Sequence, residues 1–306
     1  ELGGLTTLAS GSHLDRGRER AVFMGGIALV GVSSLIALTG TTWAFAVGFV
    51  LLVIGVSNHT VAGHAWIGHR VPFAARSRSI GVFEMSWAIA LLAGAPLLAV
   101  LIDAYGWRGP YVALAIASVV AIAVVYLRVD AGHRVVDLDP AVPVAARVPL
   151  PRTAWPPMIA SAATAMAGLG VFVVSGAWLD DEYGVSTGGL GAIAALFGAV
   201  ELGSSSAVAA FADRVGARRS VIGGLLVLVA GGLVMATAGS QAVAVIGLAV
   251  YLTGFEYAFV SSLTLVTEAA PDSRGKAIGI SNAIGTVARS TGVIMSGQLY
   301  EAFGIR

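Results

Sequence analysis

The sequence predicts an all-α membrane protein built from two similar helical bundles. The chain is 57% hydrophobic and only 11% charged, whereas a soluble domain carries about 25% charged residues. Apolar runs close to the roughly 20 residues that a bilayer-spanning helix needs recur along its whole length. A soluble chain of 306 residues could not bury this much apolar surface in one core. The predicted solvent is therefore a lipid bilayer.

About ten spans are predicted, one of them partial. The partial span is Glu1–Leu14. Because the chain starts inside an apolar helix and without Met, we interpret it as a fragment whose beginning is missing. The complete spans are Ala21–Leu38, Trp43–Ile67, Ile80–Ile102, Tyr111–Leu127, Trp155–Trp178, Gly188–Ala212, Val221–Ala238, Ala242–Val266 and Ala277–Leu299.

Basic residues are distributed unevenly between the connections of these spans. Most of the 18 Lys and Arg residues lie in every second connection. The alternate connections hold Arg108 and the acidic run Asp180-Asp181-Glu182. By the positive-inside rule, the basic connections are cytoplasmic. We therefore expect a multi-pass protein of the plasma membrane, which is the inner membrane in a cell that has two.

One connection is long and rich in proline, and it divides the chain. Val129–Pro151 contains four prolines among scattered charges, which is typical of a linker. We predict an N-terminal bundle at 1–128, truncated at its start, a cytoplasmic linker at 129–152, and a C-terminal bundle at 153–306, truncated at its end.

The two halves match at a fixed offset of 198 residues. A repeat of this kind indicates a duplicated bundle, as in transporters whose halves rock against each other. The same offset predicts that the first half lacks its opening helix and the second half its closing one, giving six spans in each complete half. The matched pairs are Asp15-Arg16 with Asp213-Arg214, Arg20 with Arg218, Arg76 with Arg274, and Gly81 with Gly279.

Two loops resemble the pattern G-x-x-x-D-R-x-G-R-R of the major facilitator superfamily, at Gly11–Arg20 and again at Ala209–Arg219. Two further stretches, Val71–Arg108 and Gly254–Gly297, are similar to the branch of drug:proton antiporters and sugar-efflux proteins. The resemblance implies a twelve-helix transporter fold of two pseudo-symmetric bundles. It also implies a secondary active transporter, proton-coupled and exporting small organic molecules or sugars by alternating access. We expect a monomer without a cofactor.

A set of residues is predicted to control gating. The loop aspartates can accept hydrogen bonds from N–H groups at a neighbouring helix N-terminus, and the arginines can pair with acidic helix ends. Glu84 is assigned to the gate, as a partner of the cytoplasmic arginines, in preference to transport. Gly94 and Pro96 predict a kink and close packing in their helix. The gating set is Asp15, Arg16, Arg20, Asp213, Arg214, Arg218, Glu84, Gly94 and Pro96.

A second set lies deep in the apolar helices, where an unpaired charge is costly and usually functional. Substrate and proton coupling is assigned to Glu201, Glu256, Arg289, Asn58, His59, Phe255 and Tyr257. Glu256 is the preferred proton carrier, since it lies between two aromatic residues and falls on Asn58 at the 198 offset. The alternative is a structural ion pair between Glu256 and Arg289.

Other classes of function have less support. His59, His64 and His69 are spaced i, i+5, which spreads them around a helix, so no metal site is predicted. The net charge of +1 gives no reason to expect nucleic acid as a partner. Two rival functions remain open: a membrane-embedded enzyme acting on lipids, and a ligand sensor that does not transport. The enzyme would need a clustered acid/base or metal site near an interface, and the sequence offers none.

Overall fold

The computed structural model describes residues 2–130 and 149–304, and all regular structure within these ranges is helical. Six α-helices precede the predicted linker. They are α1 (Leu2–Leu14), α2 (Glu19–Ala37), α3 (Thr42–Arg70), α4 (Phe73–Ile89), α5 (Ala95–Tyr105) and α6 (Arg108–Arg128). Glycines at positive φ separate several of them, including Gly17, Gly40 and Gly106, because a side chain would be strained there.

The remaining helices follow a 3₁₀ turn at Arg152–Ala154. They are α7 (Trp155–Tyr183), α8 (Thr187–Ala207), the one-turn α9 (Asp213–Val215), α10 (Ala217–Ala236), α11 (Gln241–Ala269) and α12 (Arg274–Phe303). A second 3₁₀ turn, Pro271–Ser273, leads into α12. The Ser186 hydroxyl caps α8 by accepting from the N–H of Gly189 at 3.3 Å.

Two π-helical segments interrupt the α-helices. Ala90–Gly94 joins α4 to α5, and Val208–Ala212 joins α8 to α9. The first lies just before Pro96, which has no N–H to continue an α-helical ladder; the Pro96 side chain itself lies outside the described residues. The expected close packing at Gly94 is not found, since a Cβ built there meets nothing within 4 Å.

The prediction of an all-α, membrane-spanning fold is confirmed. Seven described helices are long and apolar enough to cross a bilayer. The other three predicted spans are not among these seven. The helix α1 has only 13 residues, the α4–α5 span is broken by the π segment, and α12 carries many polar side chains.

The described chain forms two compact units, and each contains pieces from before and after the linker. The first unit comprises Glu1–Pro72, Gly94–Trp155 and Val266–Ile284. The second comprises Phe73–Ala93, Pro156–Leu265 and Gly285–Arg306. The predicted bundles, 1–128 and 153–306, follow the sequence repeat. This division of the chain stays a prediction. Most of the predicted linker, 131–148, lies outside the described residues.

Two glycines 198 residues apart bring helices into backbone contact, one in each unit. In the second unit, a Cβ on Gly81 of α4 would lie 2.8 Å from the backbone oxygen of Ser205 on α8. In the first unit, a Cβ on Gly279 of α12 would lie 2.5 Å from the backbone oxygen of Thr7 on α1. Thr7 and Ser205 are themselves 198 apart, so the two crossings are equivalent contacts of the repeat.

Candidate functional site

Asp15 follows α1 and binds the start of α12 within the first unit. Its carboxylate accepts hydrogen bonds from the backbone N–H of Gly275 at 2.6 Å and of Lys276 at 3.0 Å. These are the second and third residues of α12, whose N–H groups have no acceptor inside the helix. The helix dipole adds a favourable interaction with the negative charge. This is the type of contact that the sequence predicts for a loop aspartate.

Asp213 makes the equivalent contact within the second unit. It accepts from the N–H groups of Ser77 at 2.9 Å and Arg78 at 3.0 Å, near the start of α4. Each of the three positions is displaced by 198 from its counterpart in the first unit. We call the two contacts the aspartate latches. Each latch joins the loop of one sequence half to a helix of the other half.

The arginines of the predicted gating set do not share one role. Arg16, Arg214 and Arg218 are exposed. Arg20 instead donates to the carbonyl oxygens of Tyr126 at 3.3 Å and Val129 at 3.4 Å. Its guanidinium also lies 4.9 Å from the centre of the Tyr126 ring. Arg20 therefore ties α2 to the C-terminal end of α6, where a cation is favoured by the helix dipole.

Glu256 lies on α11 in the second unit and is 6% exposed. Its carboxylate accepts a hydrogen bond of 2.8 Å from the hydroxyl of Ser205 on α8. Glu201, one turn before Ser205, and Glu84 on α4 are both close enough to interact electrostatically with Glu256. The structure thus brings Glu84 near Glu201 and Glu256, a neighbourhood that the sequence analysis did not anticipate.

A cavity of about 240 Å³ opens beside Glu256. Three helices of the second unit enclose it, and its walls are aromatic and aliphatic except for two carboxyl groups. It is lined by Gly168, Leu169 and Phe172 of α7, Phe197 and Glu201 of α8, and Leu252, Phe255 and Glu256 of α11. Of the two aromatic residues beside Glu256, only Phe255 belongs to this lining; Tyr257 is half-buried elsewhere on α11.

Gly168 creates the space that Phe255 occupies. A Cβ at residue 168 would lie 2.1 Å from Cδ2 of Phe255. The absence of a side chain on α7 therefore lets the Phe255 ring lie against the helix backbone. Phe255 also stacks on Phe259, with ring centres 5.8 Å apart.

Arg289 lies on α12, half-buried, in the second unit. Its Nη2 donates to the hydroxyl of Thr286 at 3.0 Å, one turn earlier on the same helix. Ser205 is the hydrogen-bond partner that the structure shows for Glu256. The double variant proposed below tests the alternative of a structural Glu256–Arg289 pair.

The first unit contains a neutral counterpart of the acidic network. Asn58 on α3 donates to the hydroxyl of Thr6 at 2.7 Å and accepts from the hydroxyl of Ser10. Asn282 on α12 donates to the hydroxyl of Thr7 at 3.5 Å. At the 198 offset Asn58, Thr7 and Asn282 correspond to Glu256, Ser205 and Glu84. Two of these positions thus carry amides in the first unit and carboxyl groups in the second, and the third carries a hydroxyl group in both.

The histidines of α3 have separate environments. The Nδ1 atom of His59 lies 3.2 Å from the carbonyl oxygen of Gly55, and its ring packs edge-on against Phe23 at 5.7 Å. The Nδ1 atom of His69 lies 2.7 Å from a carboxylate oxygen of buried Glu19. In the part of the chain that the structure describes, no group of three metal-binding side chains is found.

Sequence reasoning missed six members of this site: Ser205, which donates to Glu256, and the cavity residues Gly168, Leu169, Phe172, Phe197 and Leu252. Ser205 could have been found from the 198 offset, because its counterpart Thr7 is also a hydroxyl residue within an apolar helix. Gly168 carries no such signal, since it is one of 40 glycines in the chain.

The sequence profile of the Major Facilitator Superfamily matches residues 2–293. The chain belongs to the Major Facilitator Superfamily. This confirms the resemblance at the level of the superfamily and makes the protein a multi-pass membrane protein of a transporter family. No match is found among curated proteins.

Solved structures of the superfamily share the fold. The human organic anion transporter MFSD10 (TETRAN) matches with a TM-score of 0.81 at 18% identity, covering 99% of this chain and 76% of that one. The transporter FucP in its outward conformation gives 0.81 at 14% identity, covering 99% and 82%. A bacterial homologue of the iron transporter ferroportin, in its outward-facing state, gives 0.66 at 16% identity, covering 98% and 80%. At these identities the likeness concerns the fold alone.

Proposed function

We propose that the protein is a proton-coupled exporter of small organic molecules or sugars, acting as a monomer in the plasma or inner membrane. Transport is the activity of its superfamily; the coupling ion, the direction and the substrate class belong to the proposal. Export is favoured by the stretches Val71–Arg108 and Gly254–Gly297, which are similar to the drug:proton antiporter and sugar-efflux branch.

The aspartate latches support alternating access. Each carries a charge-assisted hydrogen-bond pair, and such bonds contribute about 1.5–3 kcal/mol. That free energy suits a contact that holds one conformation and still breaks during a cycle. In the proposed cycle both latches close the cytoplasmic side and release when that side opens.

The observation that carries proton coupling is the position of Glu256. It is buried near the middle of α11, a helix long and apolar enough to cross a bilayer, hydrogen-bonded to Ser205 and part of the cavity wall. An ionised carboxylate there is costly unless it is hydrated or paired. Proton uptake and release by Glu256 can therefore follow whether the cavity is open to water. The fucose:proton symporter FucP, TM-score 0.79 at 14% identity, is an example of this fold coupled to protons.

The test is flux in proteoliposomes under an imposed pH gradient, with a panel of labelled organic molecules and sugars. The wild-type protein is expected to concentrate its substrate against a gradient. Glu256→Gln, which imitates the protonated carboxyl, is expected to abolish concentration while keeping binding and exchange. Unchanged pH-driven flux in Glu256→Gln contradicts coupling through this residue.

The structural alternative gives a different pattern. If Glu256 only neutralises Arg289, Glu256→Gln lowers the yield and thermal stability of folded protein, and Glu256→Gln with Arg289→Gln restores them.

Ligand binding without flux in the wild-type protein would identify a sensor. Superfamily membership favours transport over the lipid-acting enzyme.

A further inference from the structure

We propose that His69 and Glu19 form a pH switch where the end of α3 meets the start of α2, and that protonation of His69 tightens the aspartate latch of Asp15. The inference rests on the role that the proposed function gives to the latches and adds a regulation of one of them. It is carried by a buried contact between imidazole and carboxylate, by the short chain from Glu19 to Asp15, and by a comparison of the two halves of the repeat.

The contact joins two helix ends of the first unit. The Nδ1 atom of His69 lies 2.7 Å from Oε1 of Glu19, and Nη1 of Arg70 lies 3.5 Å from the same oxygen. Glu19 is 1% exposed and His69 5%. A neutral imidazole can donate its Nδ1–H to this carboxylate. An imidazolium makes the same hydrogen bond and adds an attraction between opposite charges, which is stronger in a buried site than in water.

The surroundings leave His69 as the group whose charge changes near neutral pH. Gly68 brings two further helices close, since a Cβ there would lie 3.3 Å from Cγ2 of Thr267 on α11 and 3.5 Å from Cδ of Arg274 on α12. Arginines stay charged, whereas an imidazole changes its charge between about pH 5 and pH 8. Besides the latch residues Asp15 and Lys276, the helix ends here carry His13 on α1, Arg18 and Glu19 on α2, His64 and Arg70 on α3, Glu268 on α11 and Arg274 on α12.

The other two histidines of these helices are placed differently. His13 is exposed at the end of α1. His64 precedes His69 by five residues and therefore lies on a different side of α3. The imidazole held against the Glu19 carboxylate is that of His69.

The loop between Asp15 and Glu19 connects the switch to the latch. It is short and hydrogen-bonded, with a turn at Gly17, where φ is 74°, and a bond of 3.1 Å from the N–H of Arg18 to the carbonyl oxygen of His13. One end of the loop is held on α12 by Asp15, and the other is held on α3 by Glu19. A tighter hold on Glu19 restricts the loop and thereby keeps the Asp15 carboxylate on its N–H donors.

The second half of the repeat lacks this pair. At the 198 offset Glu19 and His69 correspond to Ala217 and Thr267, which have no ionisable group. Asp213 nevertheless binds its two N–H donors. A latch therefore forms without such a pair, and the pair at the first latch is an addition that makes one latch sensitive to pH. Acidification of the cytoplasm is expected to hold the first latch closed and to slow transport.

Hydrogen exchange on the full chain in lipid nanodiscs tests the switch and needs no substrate. Protection of the peptide containing Gly275 and Lys276, corrected for intrinsic exchange rates, should rise about five- to tenfold from about pH 7.5 to about pH 6, because a buried charge-assisted contact forms. Protection of the peptide containing Ser77 and Arg78, which reports the second latch in the same sample, should stay constant.

Variants assign the response to His69. His69→Gln keeps a hydrogen-bond donor without a titratable group and should abolish the rise. His69→Arg is charged at every pH and should give the high protection at both pH values; it also serves if His69→Gln does not fold, as judged by circular dichroism. His13→Gln, which removes the exposed imidazole of α1, should respond as wild type.

The outcomes separate this inference from the proposed function. A pH response that persists in His69→Gln, or an equal response at both latches, overturns the switch. A response confined to the first latch in a protein that moves no solute leaves the switch standing and refutes the transport proposal. Proton-driven flux with a first latch that is insensitive to pH refutes the switch and leaves transport standing. Where flux is found, His69→Gln should be faster than wild type at the acidic pH and equal to it at the neutral one; equal rates at both also overturn the switch.

Discussion

Asp15 and Asp213 each use both carboxylate oxygens to hold two successive backbone N–H groups. Asparagine has the same size but only one accepting oxygen, and it lacks the charge that the helix dipole favours. Replacing aspartate by asparagine therefore weakens the latch with little change in shape.

Asp213→Asn is expected to reduce transport by about tenfold while folded protein remains in the membrane, because one charge-assisted bond of about 1.5–3 kcal/mol is lost. Initial rates of flux in proteoliposomes measure the effect. Arg219→Gln removes an exposed charge from the same loop and serves as the control. Full activity in Asp213→Asn would leave the latch without a role in transport.

At the scale of single residues, the sequence predicts those that are repeated at the 198 offset and those that interrupt an apolar run. Asp15 and Asp213 stand out because they match at 198 residues, and Glu256 stands out because it is charged within an apolar run. The proximity of Glu84 to Glu256 could not be predicted, since it depends on how α4 and α11 pack. For the same reason Tyr257, adjacent to Glu256 in sequence, was assigned to the site although it does not line the cavity.

The helix crossings at Gly81 and Gly279 are equivalent contacts between elements of the two units. Both glycines leave room for a carbonyl oxygen that a methyl group would displace. Gly81→Ala is expected to destabilise the protein by about 1–3 kcal/mol through overpacking against Ser205. The midpoint of thermal unfolding in detergent measures it.

Gly203→Ala is the matched control for that substitution. Gly203 lies on α8, one of the two crossing helices, and a Cβ there meets nothing within 4 Å. Alanine is the better helix former by about 1 kcal/mol, so this variant should be neutral or slightly stabilised. Equal stability of Gly81→Ala and Gly203→Ala would contradict close packing at the crossing.

Element bounds are well predicted because hydrophobic runs determine them. Trp43–Ile67 falls within α3 and Ala242–Val266 within α11. The sequence does not predict the π segments, because Val208–Ala212 has ordinary helix-forming residues and no proline.

At the scale of the whole molecule, the predicted topology can be tested directly because the chain has no cysteine. Ser12, near the end of α1, and Ser240, between α10 and α11, are both exposed and are assigned to opposite sides of the membrane. An impermeant maleimide should label Ser240→Cys in intact cells and Ser12→Cys only after permeabilisation. Labelling of Ser12→Cys in intact cells would reverse the assignment of sides.

The two aspartate latches are related to each other like the two contacts of a symmetric dimer. In a two-fold symmetric dimer, residue i of one copy contacts residue j of the other, and j contacts i in return. The two latches follow this rule at the 198 offset. Asp15 contacts Gly275, the counterpart of Ser77, and Ser77 contacts Asp213, the counterpart of Asp15. A single polypeptide thus contains the isologous contact of a homodimer. In a homodimer every substitution would alter both contacts at once. Here the two have separate codons, so selection can tune the strength of each latch independently.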